Sequence, residues 1–266
     1  MPRMKKLAWI LLVGPWLLAG EAQAAPTVIT TCQAITQPGA YVLAHNLSAT
    51  GNCIRLKSDG VTLNLNGFQI VGNGSGTGIK FAAECGCAGR QIVIQHGLII
   101  GFARAIDLEV LGGGPTTYVL EDLRISDNAE FGARLEGESM VRNSVFYKNG
   151  HCLFLDGCAR PTEPGDGLTV GNNSIVTGNI LVGNAHSGIV AGASATITGN
   201  TVNSNGFIGI SVGGGATLAN NTVNANASAG ISVACPSNLQ ANTATANTPN
   251  VSTSGSGCLS EHNLAP

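Results

Sequence analysis

A period of 21 residues dominates the C-terminal half of the chain and limits the folds that it can adopt. Three consecutive segments of this length, over residues 173–235, read NSIVTGNILVGNAHSGIVAGA, SATITGNTVNSNGFIGISVGG and GATLANNTVNANASAGISVAC. Apolar residues and asparagines keep their places in each segment, while the other positions vary. A fixed period of about this size is typical of solenoids, whose repeats bury a core only by stacking on one another.

Asparagine and apolar residues recur at fixed places in the repeat and predict the shape of each coil. One asparagine column comprises Asn128, Asn149, Asn184, Asn205, Asn226 and Asn247. A second comprises Asn179, Asn200, Asn221 and Asn242. An apolar column comprises Leu120, Val141, Val176, Ile197, Leu218 and Leu239. We expect short strands that each pair with their counterpart one turn on, with Gly or Asn at the corners and stacked asparagines satisfying buried backbone groups.

The predicted fold class is therefore all-β, a parallel solenoid of about nine turns counted from Tyr41. The period breaks at two insertions, residues 112–115 and 152–166. Leucine-rich repeats are the alternative, because they have a similar period and a recurring asparagine. Their units need several leucines, however, and residues 194–214 contain none.

One long segment resembles the opening of a known family. Residues 38–72 read PGAYVLAHNLSATGNCIRLKSDGVTLNLNGFQIVG, and turns of the GNTVNSNGFIGISV type follow. Together they resemble the right-handed parallel β-helix proteins of the pectate-lyase-like fold, especially the NosD-like exported ones. The resemblance implies that fold for nearly all of residues 25–266. It implies less about function, because the family includes lyases, epimerases, glycoside hydrolases, phage tailspikes and proteins of no known activity. The acidic calcium motifs of pectate lyases and the Asp-Pro-His-Ser motif of alginate epimerases are not evident in the sequence.

The N-terminus has the pattern of a secretory signal. Arg3, Lys5 and Lys6 precede the apolar run LAWILLVGPWLLAG, and AQA at 22–24 offers a cleavage site after Ala24. We expect residues 1–24 to be a signal peptide, residues 25–266 to form one domain, and the protein to be secreted or periplasmic. No later apolar run is long enough to predict a membrane span.

The eight cysteines all follow the predicted cleavage site, which favours disulfides in an oxidising compartment. Cys32 and Cys53 are 21 residues apart and Cys235 and Cys258 are 23 apart, so each pair is predicted to bridge neighbouring turns at one end of the solenoid. Cys152 and Cys158 would close a short loop. Cys85 and Cys87 remain as either a local bridge or a metal-binding thiol pair, of which we favour the bridge.

Charge is distributed unevenly along the chain. Residues 167–260 contain no Asp, Glu, Lys or Arg, so acid–base chemistry is expected N-terminal to them, His186 apart. The sequence has no basic stripe of the kind that nucleic acid requires. Copper delivery, which the NosD-like resemblance suggests, is not favoured, because Met140 and the histidines at 45, 96, 151 and 186 share no ligand spacing.

The candidate site lies on the charged turns. Counting by columns places His96, Asp122 and Asn143 at one corner of successive turns, with Arg124 and Tyr147 on the same side. The same counting places Glu121 beside Arg142 and Asp127 beside Lys148; we expect both to be ordinary cross-strand ion pairs. Stacking of His96 on Asp122 is also common as plain structure, although a carboxylate one turn away can keep an imidazole basic.

These residues suggest a polysaccharide as partner, with no cofactor that the sequence identifies. A uronate lyase or epimerase needs a cation for the substrate carboxylate, which Arg124 or Arg142 could supply. It also needs a base, for which His96 or Tyr147 is available. A glycoside hydrolase is not favoured, because no unpaired couple of carboxylates is visible in the columns and the acids of the 152–166 insertion (Asp156, Glu163 and Asp166) are expected to be solvated.

A non-catalytic role is the rival interpretation. Thr201, Thr222 and Thr243 share one column of the charge-free turns. Such an array of hydroxyl and amide groups could bind carbohydrate or ice. Short polar residues are also expected on the surface of any soluble coil that has no charged residues. We favour this interpretation, in which the threonines have no binding role.

Overall fold

Short parallel strands make up the structure of this protein, a computed structural model that describes residues 25–81, 90–109, 116–151 and 165–266. Two long strands, β9 (Arg90–Ile100) and β11 (Thr116–Ser126), bend across two faces of the coil. No helix occurs within the described ranges. The described ranges accordingly contain no apolar helix long enough to cross a membrane.

Three faces run along the coil, and each chain turn from Gly39 to Ser254 contributes one strand, or one half of a long strand, to each face. Face 1 contains the first halves of β9 and β11 together with β1 (Thr27–Ile29), β3 (Gly39–Leu43), β6 (Val61–Asn64), β13 (Glu138–Arg142), β16 (Ile175–Thr177), β19 (Thr196–Thr198), β22 (Thr217–Ala219), β25 (Asn238–Gln240) and β28 (Leu259–Glu261). Face 2 contains the second halves of β9 and β11 together with β4 (Leu47–Ser48), β7 (Gln69–Val71), β14 (Val145–Tyr147), β17 (Ile180–Val182), β20 (Thr201–Asn203), β23 (Thr222–Asn224) and β26 (Thr243–Thr245). Face 3 contains β2 (Ala34–Ile35), β5 (Ile54–Leu56), β8 (Thr77–Phe81), β10 (Arg104–Leu108), β12 (Phe131–Leu135), β15 (Leu168–Val170), β18 (Ile189–Ala191), β21 (Ile210–Val212), β24 (Ile231–Ala234) and β27 (Val251–Ser254).

The register follows the sequence repeat. On face 3, Ile189 pairs with Ile210, which pairs with Ile231, so that each strand lies against its counterpart one period later. Every strand pairing in the described ranges is parallel. The prediction of an all-β parallel solenoid is confirmed.

Alternate residues of each strand point into a single continuous core. The apolar column predicted from the sequence is buried, with Val176, Ile197 and Leu218 all at 0% exposure. Full burial of one such side chain contributes about 1.5–3 kcal/mol to folding. Because a three-residue strand offers only one or two inward positions, no turn buries enough surface alone, and stability comes from stacking.

Sharp bends join the faces and use left-handed backbone. Between faces 1 and 2 the bend residue is His96, Asp122 and Asn143 on successive turns (φ 60°, 51° and 52°), and Gly178 on the next turn (φ 66°). Gly and Asn were expected there because they tolerate this conformation best. The bend between faces 2 and 3 is less selective, since Lys148 occupies it with φ 51°.

Two asparagine ladders line the inside of these bends, as the sequence predicts. In the ladder that contains Asn205, each Nδ2 donates to the Oδ1 of the asparagine one turn on, at 2.9 Å from Asn184 to Asn205 and 2.9 Å from Asn205 to Asn226. The second ladder, which starts at Asn179, has the same pattern and ends on Asn263. The backbone N–H of each asparagine also donates to the Oδ1 of the asparagine one turn on. The ladders therefore provide hydrogen-bond acceptors for the backbone N–H groups that are buried at the corners.

The residue before several face 3 strands is a glycine, because the neighbouring turns leave no room for a Cβ atom. A Cβ added at Gly209 would lie 2.5 Å from Val223 Cγ1 and 2.6 Å from the carbonyl oxygen of Gly230. Both distances are too short for real contacts, and the second involves backbone that cannot move aside without disturbing the next turn. The recurring Gly-Ile of the repeat thus reflects close packing of the chain on its neighbouring turns.

Disulfides join Cys32 to Cys53 and Cys235 to Cys258, as predicted, and each links residues of neighbouring turns. Cys85, Cys87, Cys152 and Cys158 lie outside the described residues, as does the predicted signal peptide.

Reduction of the protein is expected to lower its unfolding temperature by about 5 °C, because the end turns pack on one neighbour only and fray when they are released. Thermal melts with and without reductant measure the effect. The Cys32→Ala/Cys53→Ala double variant should reproduce part of the loss. Mass mapping that joined Cys32 to any residue other than Cys53 would contradict the pairing.

Candidate functional site

The first edge, defined as the bend between faces 1 and 2 at His96, Asp122 and Asn143, carries the column predicted from the sequence. His96 Nε2 lies 3.4 Å from Asp122 Oδ2, and both side chains are 45% exposed. The structure therefore brings the imidazole and the carboxylate together. The contact is long and open to water, so it orients the ring only weakly.

Arg142 lies beside this edge but is already paired. Its NH2 group is 2.7 Å from Glu121 Oε2 on the preceding turn, as the register predicts. The guanidinium charge is thus largely compensated by Glu121, and a substrate carboxylate would have to compete with that pair. This arrangement weakens the case for Arg142 as the substrate-binding cation.

Arg124 is the better placed cation. It opens the face 2 part of β11, between Leu98 and Val145 of the neighbouring turns, and its side chain is exposed. Within the part of the chain that the structure describes, no acidic side chain lies at ion-pair distance from it. Its charge is consequently available to a ligand on face 2.

Tyr147 lies at the far side of face 2, near the bend into face 3. Lys148 places its Nζ 5.1 Å from the centre of the Tyr147 ring. The Tyr147 side chain raises the pKa of Lys148, and the charge of Asp127 raises it further to a smaller extent. Asp127 and Lys148 are predicted to form an ion pair, but in the described ranges no contact of that length joins them. Tyr147 is therefore separated from His96 by the width of face 2.

The second edge, the bend between faces 2 and 3 formed by Lys148, His151, Asp166, His186 and Phe207, holds a tighter pair. Asp166 Oδ1 accepts hydrogen bonds from His186 Nδ1 at 2.7 Å and from the Ser187 N–H at 2.9 Å. Asp166 is only 5% exposed. The expectation that Asp166 is a solvated loop acid is wrong, because the chain has rejoined the coil at this point and the next turn covers its carboxylate.

A sequence signal for this pair exists. Asp166 precedes Ser187 by 21 residues, one full period, so the two residues occupy the same column and His186 stands next to it. Reading residues 152–166 as a single insertion hides that relation. Phe207, one turn after His186, stacks on the imidazole with ring centres 4.6 Å apart.

Face 3 carries a further group of charges that the sequence columns did not reveal. Arg104 contacts Glu130 at 2.6 Å and Asp107 at 3.1 Å, and Arg134 contacts Glu109 at 3.3 Å. Phe131 lies against both guanidinium groups, 4.4 Å from that of Arg134.

The same region supplies neighbouring carboxylates. Burial, and then the charge of Glu109, raise the pKa of Glu136, while Arg134 acts in the opposite direction. Glu109 is paired with Arg134, so these carboxylates are not an unpaired couple, and the absence of such a couple stays a prediction. In the described residues no group of three His, Cys, Asp or Glu side chains could hold a metal ion.

Solved structures of other proteins have a similar fold. The Dettilon tailspike protein superposes with a TM-score of 0.60 at 15% identity, over 90% of this chain and 51% of that one. Tailspike protein 2 of Escherichia coli O157:H7 bacteriophage CAB120 has a TM-score of 0.62 at 14% identity, over 86% and 37%. The A-module of the Azotobacter vinelandii mannuronan C-5 epimerase AlgE4 has a TM-score of 0.54 at 13% identity, over 86% and 87%. The chain thus spans about half or less of either tailspike.

Sequence comparison gives the family. No curated protein sequence matches the chain. The family model for a right-handed β-helix region matches residues 52–223 and 119–265, which together take in most of the chain and nearly all of its coil. With the parallel three-faced coil described above, this match shows that the chain belongs to the right-handed β-helix family.

Proposed function

We propose that this protein is exported and recognises or processes an extracellular or periplasmic polysaccharide, with an acidic polymer as the favoured substrate. One of its structural neighbours is an epimerase of mannuronan. The disulfides at both ends of the coil fit an oxidising compartment. The N-terminal signal pattern agrees with export.

The observation that carries the proposal is that an imidazole, a carboxylate and a guanidinium lie around the first edge. Among the described residues this guanidinium has no acidic partner. His96 and Asp122 are 3.4 Å apart, and Arg124 is two residues after Asp122 on the adjoining face. A uronate ring needs these groups, because its carboxylate must be neutralised before the proton on the neighbouring carbon becomes acidic enough to remove.

Each residue of the candidate site then has a distinct part. Arg124 binds the substrate carboxylate, and Arg142 stays with Glu121 and fixes the local charge. His96 takes the proton from the neighbouring carbon, while Asp122 stabilises the imidazolium that results. Tyr147 lies across face 2 and contacts another part of the polymer.

A screen of the protein against alginate, pectate and neutral glycans tests this function. Absorbance of unsaturated products reports a lyase, and reducing ends without that absorbance report a hydrolase. A change in the proton spectrum of the polymer without chain cleavage reports an epimerase. If no glycan is retained and none is turned over, the proposal fails.

A non-catalytic binding rod is the second candidate, and face 2 gives it a specific basis. Thr201, Thr222 and Thr243 pair in register along this face. In the column beside them the Asn224 side chain accepts a hydrogen bond of 2.7 Å from the Thr245 hydroxyl. This polar surface is flat and regular, so it offers repeated hydrogen-bonding groups to a linear glycan. Retention of a glycan without turnover in the same screen favours this role.

A further inference from the structure

The second edge has an open pocket, which has no part in the reaction proposed for the first edge. It has a volume of about 520 Å³ and is lined by Lys148 and His151 together with backbone and small side chains of the next two turns. Ala185 and Gly206, which form part of its wall, directly precede His186 and Phe207. A pocket of this size falls in the range of sites for small molecules.

Cationic and imidazole groups surround this pocket. Lys148 is exposed, and it brings a full positive charge to the lining of the pocket. His151 Nε2 donates to the carbonyl oxygen of Gly183 at 2.8 Å, which fixes the ring at the rim of the pocket. Of the acidic side chains nearby, Asp166 is turned inward onto His186, and Asp127 acts on Lys148 only at longer range.

His186 is held more firmly than His96. Its Nδ1 bonds the buried Asp166 at 2.7 Å, and one face of the ring packs on Phe207. With Nδ1 occupied, Nε2 is the ring atom left for a ligand, and no described residue bonds to it. The imidazole is 40% exposed and directly follows Ala185 of the pocket wall, so it is open to a ligand that extends past that wall.

A nucleophilic triad does not explain this arrangement. The Ser187 hydroxyl lies 3.3 Å from His186 Nδ1, the same nitrogen that Asp166 contacts. In a Ser-His-Asp triad the serine must lie at the opposite nitrogen, where the ring can take its proton. Ser187 is also only 2% exposed. The geometry therefore suits binding of a ligand by His186, with Asp166 as the residue that positions it.

We propose that the second edge is a subsite for a carboxylated sugar residue of the same polymer, with Lys148 binding its carboxylate and His186 Nε2 bonding its hydroxyl. This inference rests on the proposed function. His186 belongs to the turn of Gly178, which lies one turn after Asn143 and two turns after Asp122 on the first edge. At about 4.8 Å per turn, His186 then lies roughly 10 Å along the coil from Asp122 and about 14 Å from His96, and the width of face 2 adds to this separation.

Substitutions at the subsite are expected to affect substrate binding, whereas substitutions at the reaction centre are expected to affect the chemical step. Lys148→Ala and His186→Ala should each raise the KM for high-molecular-mass alginate or polygalacturonate about 10-fold, the loss of one charge-assisted hydrogen bond. The kcat on the polymer and all parameters on the corresponding trisaccharide should stay unchanged, because a short substrate does not reach the subsite. If the protein binds without turnover, the Kd of polymer and trisaccharide replaces the two KM values.

Matched variants keep the test clear. Lys148→Arg should restore most of the affinity, since the charge is retained, and His45→Ala should be silent because His45 is an exposed histidine with a local contact only. A fall in kcat, or an equal effect on polymer and trisaccharide, would overturn the subsite while leaving the polysaccharide function in place. No effect of Lys148→Ala, whose exposed side chain is not needed for folding, would overturn it as well. Absence of any glycan binding overturns both proposals together.

Discussion

Turnover of an acidic polysaccharide is expected to fall by about 100-fold or more when either His96 or Arg124 is replaced by alanine. His96 is the base at the first edge, and Arg124 is the exposed cation without an acidic partner among the described residues. A 100-fold loss corresponds to about 2.7 kcal/mol of transition-state stabilisation, the amount that a general base or a charge-stabilising group supplies. Initial rates on the polymer identified by the glycan screen measure the effect.

Controls for this prediction come from the same faces. Arg142→Ala should lower the rate less than Arg124→Ala, because the Arg142 charge is already compensated by Glu121. Thr201→Ala and Thr222→Ala should change the rate little. The thermal melts of the His96 and Arg124 variants should match the parent, since both side chains are exposed. The reverse pattern, with the threonine changes abolishing retention of glycan and the His96 and Arg124 changes silent, would identify a binding rod instead of an enzyme.

Asn205→Ala should destabilise the protein by about 3 kcal/mol, because buried polar groups that lose their partners keep their full desolvation cost. The Asn205 side chain makes four hydrogen bonds within a site that is only 2% exposed. Its Oδ1 accepts from the backbone N–H and the side chain of Asn184. Its Nδ2 donates to the Leu181 carbonyl and to Asn226. Chemical denaturation followed by far-ultraviolet circular dichroism measures the loss.

A matched asparagine elsewhere in the coil separates the ladder from simple side-chain truncation. Asn238 lies in β25, and its side chain is exposed and makes none of the ladder bonds. Asn238→Ala should therefore change the free energy of unfolding by less than about 0.5 kcal/mol. Equal stabilities of the two variants would mean that the ladder is not a major source of stability.

Much of the fold was predictable because the repeat is local in sequence and regular in space. Once one asparagine is aligned with another a period later, the strand pairing and the inward column follow, since neighbouring turns must stack in parallel. The two end disulfides follow from the same count, because cysteines about one period apart fall on neighbouring turns. Even the stacking of His96 on Asp122 was accessible in this way.

The site was less predictable, because register says which residues are neighbours and not how their side chains are buried or paired. The sequence offered Arg124 and Arg142 as equal cations, and only the 2.7 Å contact with Glu121 distinguishes them. Asp127 and Lys148 lie on neighbouring turns, yet Lys148 Nζ lies over the Tyr147 ring, 5.1 Å from its centre. A long side chain on a convex bend has several partners within reach, and small differences in direction decide among them.

The sequence by itself determined the period, the parallel coil, the asparagine ladders and the two disulfides at the ends of the coil. Each of these depends on backbone pairing between successive turns, which a fixed repeat length imposes. The tertiary structure alone decided where Asp166 lies, that it is buried on His186, that Phe207 stacks on that imidazole, and that Lys148 and His151 line the neighbouring pocket. These features depend on how the chain re-enters the coil after an insertion, and burial there is set by the covering turn and not by the local sequence.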